Sequence, residues 1–193
     1  MKINIGVLIT LIAAIFWGFS GTCAQYIFDN FDADPTYLTA VRLLAAGLIL
    51  VVIGIFTDRK NMTAIWTDRN SALRLIIFSV TGFLFCQLTY MKAISYSNSG
   101  PATILQYLGP VLIMMVSCVL ARKLPQRKEV FAIIMALLGV FLIATHGHID
   151  TMVITPLGLS WGLWSAVALM LYTMLPGKII EKYGSITVTG YGM

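Results

Sequence analysis

Residues 93–121 contain no Asp, Glu, Lys or Arg, a run of 29 residues. About 20 predominantly apolar residues are enough for a helix to cross the hydrocarbon of a bilayer, so this stretch is long enough to span. Its start is marked: Asn98 or Ser99 can cap a helix, and Pro101 suits a first turn, where a missing N–H is no loss. The run is then interrupted. Pro110, behind Gly109, cannot donate to the Gln106 carbonyl four residues back and clashes with it. A carbonyl freed in hydrocarbon must find protein, water or ligand. Thr103, Gln106, Tyr107, Pro110, Met114 and Ser117 follow one another by three and four residues and so share one helical face. One face of this span therefore carries an amide, a phenol, hydroxyls and a broken backbone bond.

The rest of the chain is of the same kind. It is 59% hydrophobic and 11% charged over 193 residues, whereas a soluble domain is about a quarter charged. A polytopic membrane protein is expected. Spans are read at 3–28, 35–57, 75–93, 97–121, 130–145 and 156–176, and a seventh apolar run at 185–193 is too short to cross. The first run is too long for a signal-peptide core and has no clear cleavage site. Thr10, Ala14, Trp17, Gly21 and Gln25 line one face of it. Packing accounts for the small residues, and Trp17 or Gln25 touching a solute is the alternative. Ala132, Ala136 and Gly139 in the fifth span, and Gly158 and Gly162 in the sixth, read as close helix packing. Cys23, Cys86 and Cys118 form no CxxC or metal spacing and are expected to be small buried side chains. His146, His148 and Asp150 share a loop and are expected to be solvated there, with no metal.

Charge placement orients the chain. With the amino terminus inside, the inner side collects Lys2, Arg59, Lys60, Arg69, Arg74, Arg122, Lys123, Arg127, Lys128, Lys178 and Lys182. The outer side holds only Lys92, beside the acidic loop of Asp29, Asp32 and Asp34. This is the positive-inside pattern, so the net charge of +5 is no signal for nucleic acid. Arg42, about seven residues into the second span, either pairs with Asp34 or lipid headgroups, or faces a central cavity and holds an anionic group.

The phrases AAIFWGFSG in the first span, PTYLTAVRLLAAGLIL in the second, ATILQYLGPVLIMMVSCVLA in the fourth and EVFAIIMALLGVFLIAT in the fifth are similar to those of the EamA-type transporters of the drug/metabolite transporter superfamily. The resemblance implies an all-α bundle of two inverted five-span repeats. On that pattern 3–145 is the first repeat and 156–193 the start of the second, as in a chain truncated within its second repeat. Placing Gly6 on Gly158 also matches Leu11 with Leu163 and Ala14 with Ala166. Where the family often carries a glutamate after the fourth span, this chain has Arg122 and Lys123, so no role of that acid carries over.

The function expected is secondary transport of small metabolites, amino-acid-like or related polar solutes, by alternating access in the inner (plasma) membrane. The substrate path is expected to be lined by Gln106, Tyr107, Thr103 and Pro110, with Trp17, Gln25, Arg42, Gln87 and Tyr90. Gln106 and Tyr107 are expected nearest the bound molecule. The alternative is a kink satisfied by a neighbouring helix, with Tyr107 and Met114 simply packed. A membrane-embedded enzyme is disfavoured because no Asp or Glu lies within a span and both histidines lie in a loop. An inactive or partner-dependent fragment is the further reading. No cofactor is expected. The expected partners are a small-molecule substrate, the lipid bilayer, and either missing second-half helices or a second copy in a homo-oligomer.

Overall fold

A computed structural model of the chain describes residues 5–122, 124–145 and 154–193. The loop of His146, His148 and Asp150 lies outside the described residues, as do Lys2 and Lys123. The described residues form helices and connecting turns: α1 (Ile5–Phe31), α2 (Pro35–Thr57), α3 (Arg59–Thr67), α4 (Arg69–Ile77), a π-helical segment (Phe78–Leu84), α5 (Phe85–Tyr96), α6 (Ser99–Gln106), α7 (Gly109–Ala121), α8 (Arg127–Thr145), α9 (Pro156–Met174), α10 (Gly177–Tyr183) and α11 (Ser185–Gly192). Among the described residues five runs are long and apolar enough to cross a membrane: Ile5–Phe31, Pro35–Thr57, Arg69–Tyr96, Ser99–Ala121 and Pro156–Met174. The fifth expected span is a helix as well, α8. The chain is an all-α bundle of a multi-pass membrane protein.

Local chemistry sets several boundaries. Asp34 caps α2 by accepting the Thr36 N–H at 2.8 Å, and Pro35 opens the first turn. Asp68 caps α4 through the Asn70 N–H at 3.1 Å. The helix that carries the third span therefore begins at Arg69, ahead of the span read from residue 75, and the basic connector before it is itself a helix, α3. At 1.5 Å per residue the 28-residue run is about 40 Å long, beyond a hydrocarbon core of about 30 Å. Its first turns, with Arg69 and Arg74, therefore need not enter hydrocarbon. The π-helical segment lets Phe78 fold onto Gly82, where an added Cβ would lie 2.6 Å from the Phe78 ring.

The fourth span divides at Tyr107 and Leu108. The Leu108 N–H reaches back only to the Leu105 carbonyl, at 3.1 Å, and a new helix begins at Gly109. Pro110 thus sits in the first turn of α7, instead of kinking one continuous helix. The start of α6 also departs from expectation. Asn98 occupies the cap position but makes no side-chain cap bond; the cap comes from Gln25 of α1, whose Oε1 accepts the Ser99 N–H at 3.0 Å and the Ser99 hydroxyl at 2.7 Å.

Helix α9 packs against α5, α6, α7 and the π-helical segment. Its glycines allow this. A Cβ on Gly158 would lie 2.9 Å from Ser97 Cβ, and one on Gly162 would lie 2.8 Å from Leu105 Cβ. Gly109 meets α9 in the same way, near the Ala166 carbonyl. Helices gain little by hiding apolar surface from lipid, so close backbone approach has to supply the attraction. The apolar outer faces of α1 and α2 are exposed, as hydrocarbon-facing surface would be. Cys23 lies exposed on α1, contrary to its expected burial, because among the described residues no helix covers that face; Cys86 is buried and Cys118 half-buried.

The contacts sort the connections into two ends. At one end Asp68, before α4, bonds Lys182 of α10 at 2.7 Å. At the other, Gln25 near the end of α1 bonds Asn98 at 2.9 Å, and the Thr155 hydroxyl, capping α9, donates to the Tyr96 carbonyl at 2.5 Å.

Candidate functional site

Between α1, α2, α5, α6 and α9 lies a cavity of about 230 Å³. Five of the nine residues expected on a substrate path line it: Trp17, Arg42, Gln87, Tyr90 and Gln106. They arrive from four helices, so no stretch of sequence contains the site.

Tyr90, Gln106 and Arg42 are held by identifiable contacts. The Thr103 hydroxyl donates to the Ser99 carbonyl at 2.6 Å, which commits its one proton. The Tyr90 hydroxyl, 2.8 Å away, must therefore donate to Thr103. Thr103 is thus a support for Tyr90. Gly21 on α1 permits the approach of Tyr90, since a Cβ there would stand 3.0 Å from the phenol oxygen. Gln106 is 2% exposed, and its Nε2 lies 3.7 Å from Cys86 Sγ. Sulfur is a weak acceptor, so the amide keeps hydrogen-bonding capacity toward the cavity.

Arg42 is partly buried and turned inward. Its Nη1 lies 3.3 Å from Met91 Sδ. Asp34, one expected partner, is occupied at the α2 cap, and the one ion pair among the described residues joins Lys182 to Asp68. Among the described residues no Asp or Glu lines the cavity, and Arg42 is the one charged side chain that does. Its guanidinium stays protonated in proteins.

The other expected residues stand elsewhere. Gln25 bridges α1 to the start of α6. Tyr107, next to Gln106, is 58% exposed and does not line the cavity. Pro110 is exposed at the start of α7. The turn at Tyr107 is what separates the two neighbours.

Sequence reading missed Phe83, Cys86 and Tyr172 as lining residues. Phe83 and Cys86 were within reach of it, because Phe83, Gln87 and Tyr90, and Cys86 and Tyr90, keep helical spacing. Tyr172 had no such signal. It enters because α9 crosses α5, placing its ring 4.9 Å from Phe83 and 5.8 Å from Phe78. Among the described residues no group of His, Cys, Asp and Glu could hold a metal ion. The arrangement offers a fixed cation, two amides, a serine hydroxyl and two phenols beside the rings of Trp17 and Phe83, which equips it to bind a polar molecule.

Residues 4–145 match the EamA-like transporter family. The chain is 42% identical over 188 residues to a Salmonella typhimurium protein named as an uncharacterized inner membrane transporter, YicL, covering 97% of this chain and 62% of that one. It is 26% identical over 187 residues to an uncharacterized transporter of Archaeoglobus fulgidus, covering 96% and 62%, and 24% identical over 184 residues to the uncharacterized transporter YyaM of Bacillus subtilis, covering 93% and 58%. The chain thus spans about three-fifths of the length of these relatives. No solved structure matches it.

Proposed function

The chain belongs to the EamA-like transporter family, and from that membership we propose that it carries small polar metabolites, amino-acid-like or related, across the inner (plasma) membrane by alternating access. The observation that carries this reading is the convergence of Trp17, Arg42, Gln87, Tyr90 and Gln106, from four helices, on one cavity inside an apolar bundle. Polar side chains at this depth are expensive unless they serve a pathway. Membership in a transporter family supports carriage over catalysis.

In this proposal residues 3–145 form one five-span repeat and 156–193 begin an inverted second, with the carrier rocking around the cavity. The amino terminus is cytoplasmic. The positive-inside pattern supports that orientation, as does the Asp68–Lys182 contact, which joins two of the basic connectors at one end. The exposed apolar side of α1 suits cover by further helices, supplied either by a longer chain like the relatives or by a second copy.

The test is transport of radiolabelled amino acids and related solutes by cells producing the chain, with Gln106→Leu and Tyr107→Phe beside it. Gln106→Leu should lower uptake or efflux at unchanged membrane levels, and Tyr107→Phe should not. Normal transport by Gln106→Leu would remove the cavity from the path. If the chain transports only when produced with a longer relative, the partner-dependent reading replaces independent function.

A further inference from the structure

We infer that the cavity takes a small organic anion, a carboxylate joined to a flat apolar body, with Arg42 selecting for the charge. This rests on the reading of the cavity as the solute site, and within it favours the related polar solutes that carry a carboxylate without an ammonium over amino acids themselves.

Arg42 is partly buried, lines the cavity and has a thioether, Met91 Sδ at 3.3 Å, as its hydrogen-bond partner. A thioether is a poor acceptor for a guanidinium with five donors. A charge at membrane depth is ordinarily paired or functional, and among the described residues no carboxylate lines this cavity to pair it. A guanidinium binds carboxylates through two parallel hydrogen bonds, giving direction as well as attraction. The amides of Gln87 and Gln106 can add donors, while the Tyr90 proton is already given to Thr103. For the same reason a cation finds no opposite charge here, and a zwitterion would leave its ammonium unanswered.

The shape of the cavity points to a flat body. Phe83 and Tyr172, edge to face at 4.9 Å, line it together with Leu169. A dry apolar cavity of about 150 Å³ holds a benzene ring. This one, at about 230 Å³, has room for a ring and one small charged group.

Benzoate, benzamide and benzylamine share the ring and differ in charge, so they separate recognition of charge from recognition of shape. The 193-residue protein is purified into nanodiscs and titrated calorimetrically with each. Benzoate should bind more tightly than benzamide by about tenfold or more, the effect of a charge-assisted bond. Arg42→Gln should remove that advantage and leave benzamide unchanged. Arg42→Lys keeps the charge but not the fork, should bind benzoate with intermediate strength, and shows that loss in Arg42→Gln is not misfolding. Equal binding of benzamide and benzoate, or tighter binding of benzylamine, overturns the anion assignment and leaves the cavity as a solute site. Binding of none of the three overturns both. The competing use of Arg42 is a lipid phosphate. Benzoate binding in phosphatidylcholine discs that disappears in phosphatidylglycerol discs would assign the guanidinium to headgroups and overturn the proposal.

Discussion

The Tyr90 hydroxyl donates to Thr103 Oγ1 across 2.8 Å, and the same oxygen stands 3.0 Å from where a Cβ on Gly21 would be. One phenol therefore ties α5 to α6 and fixes how near α1 can come.

That double contact makes two substitutions interdependent. Tyr90→Phe removes one hydrogen bond, a net loss of about 0.5–1.5 kcal/mol. Gly21→Ala should destabilise by crowding the hydroxyl, and should do so much less once Tyr90→Phe has removed it. Unfolding of the two single variants and the double variant in mixed micelles measures the coupling. Strictly additive losses would mean the rings and backbones are farther apart than described.

Gly162→Ala should destabilise by about 1–3 kcal/mol, the usual range for overpacking. Its Cβ would meet Leu105 Cβ at 2.8 Å, at the contact that holds α9 against α6. Gly139, whose added Cβ meets nothing within 4 Å, is the control, and Gly139→Ala should be neutral or slightly stabilising. Thermal unfolding in detergent compares them.

The Asp68–Lys182 contact gives a pH prediction. The hydrogen bond from Lys182, then that from Ser71, holds the Asp68 carboxyl well below the usual carboxylate range. A depressed pKa stabilises the fold above the unfolded value, about 3.9, and that stabilisation is lost as pH falls through the folded one. The Lys182 pKa is raised, first by Asp68, so its contribution persists below about 10.4 and is lost only as pH rises through a higher value. Between about pH 5 and 10 the difference in melting temperature between the wild type and Asp68→Asn should thus be small and flat, because both groups are exposed. It should shrink toward zero in strong acid, as Asp68 protonates, and in strong base, as Lys182 loses its proton. A difference that titrates near neutrality would contradict the contact.

Orientation is tested by placing single cysteines at exposed positions, Asp32→Cys and Lys60→Cys, after replacing Cys23, Cys86 and Cys118. An impermeant maleimide on intact cells should label Asp32→Cys, and should label Lys60→Cys only after permeabilisation. The reverse pattern would invert the topology.

The spans were legible in the sequence because exclusion of charge over about 20 residues is a local property, readable without knowing any neighbour. The interruption before Pro110 was legible for the same reason, since proline acts on its own helix. Arg42 stood out as the one charge deep in its span. Residues that pack across helices were not legible. The cap on α6 comes from Gln25, 74 residues away, and not from adjacent Asn98. Gln106 and Tyr107 are neighbours in sequence, yet the first is buried at the cavity and the second is exposed, because the backbone turns between them. Tyr172 reaches the cavity only because Gly158 and Gly162 let α9 settle against α5 and α6. Helical periodicity fixes which residues share a face, but which face meets which neighbour depends on contacts between distant segments, and those exist only in the folded bundle.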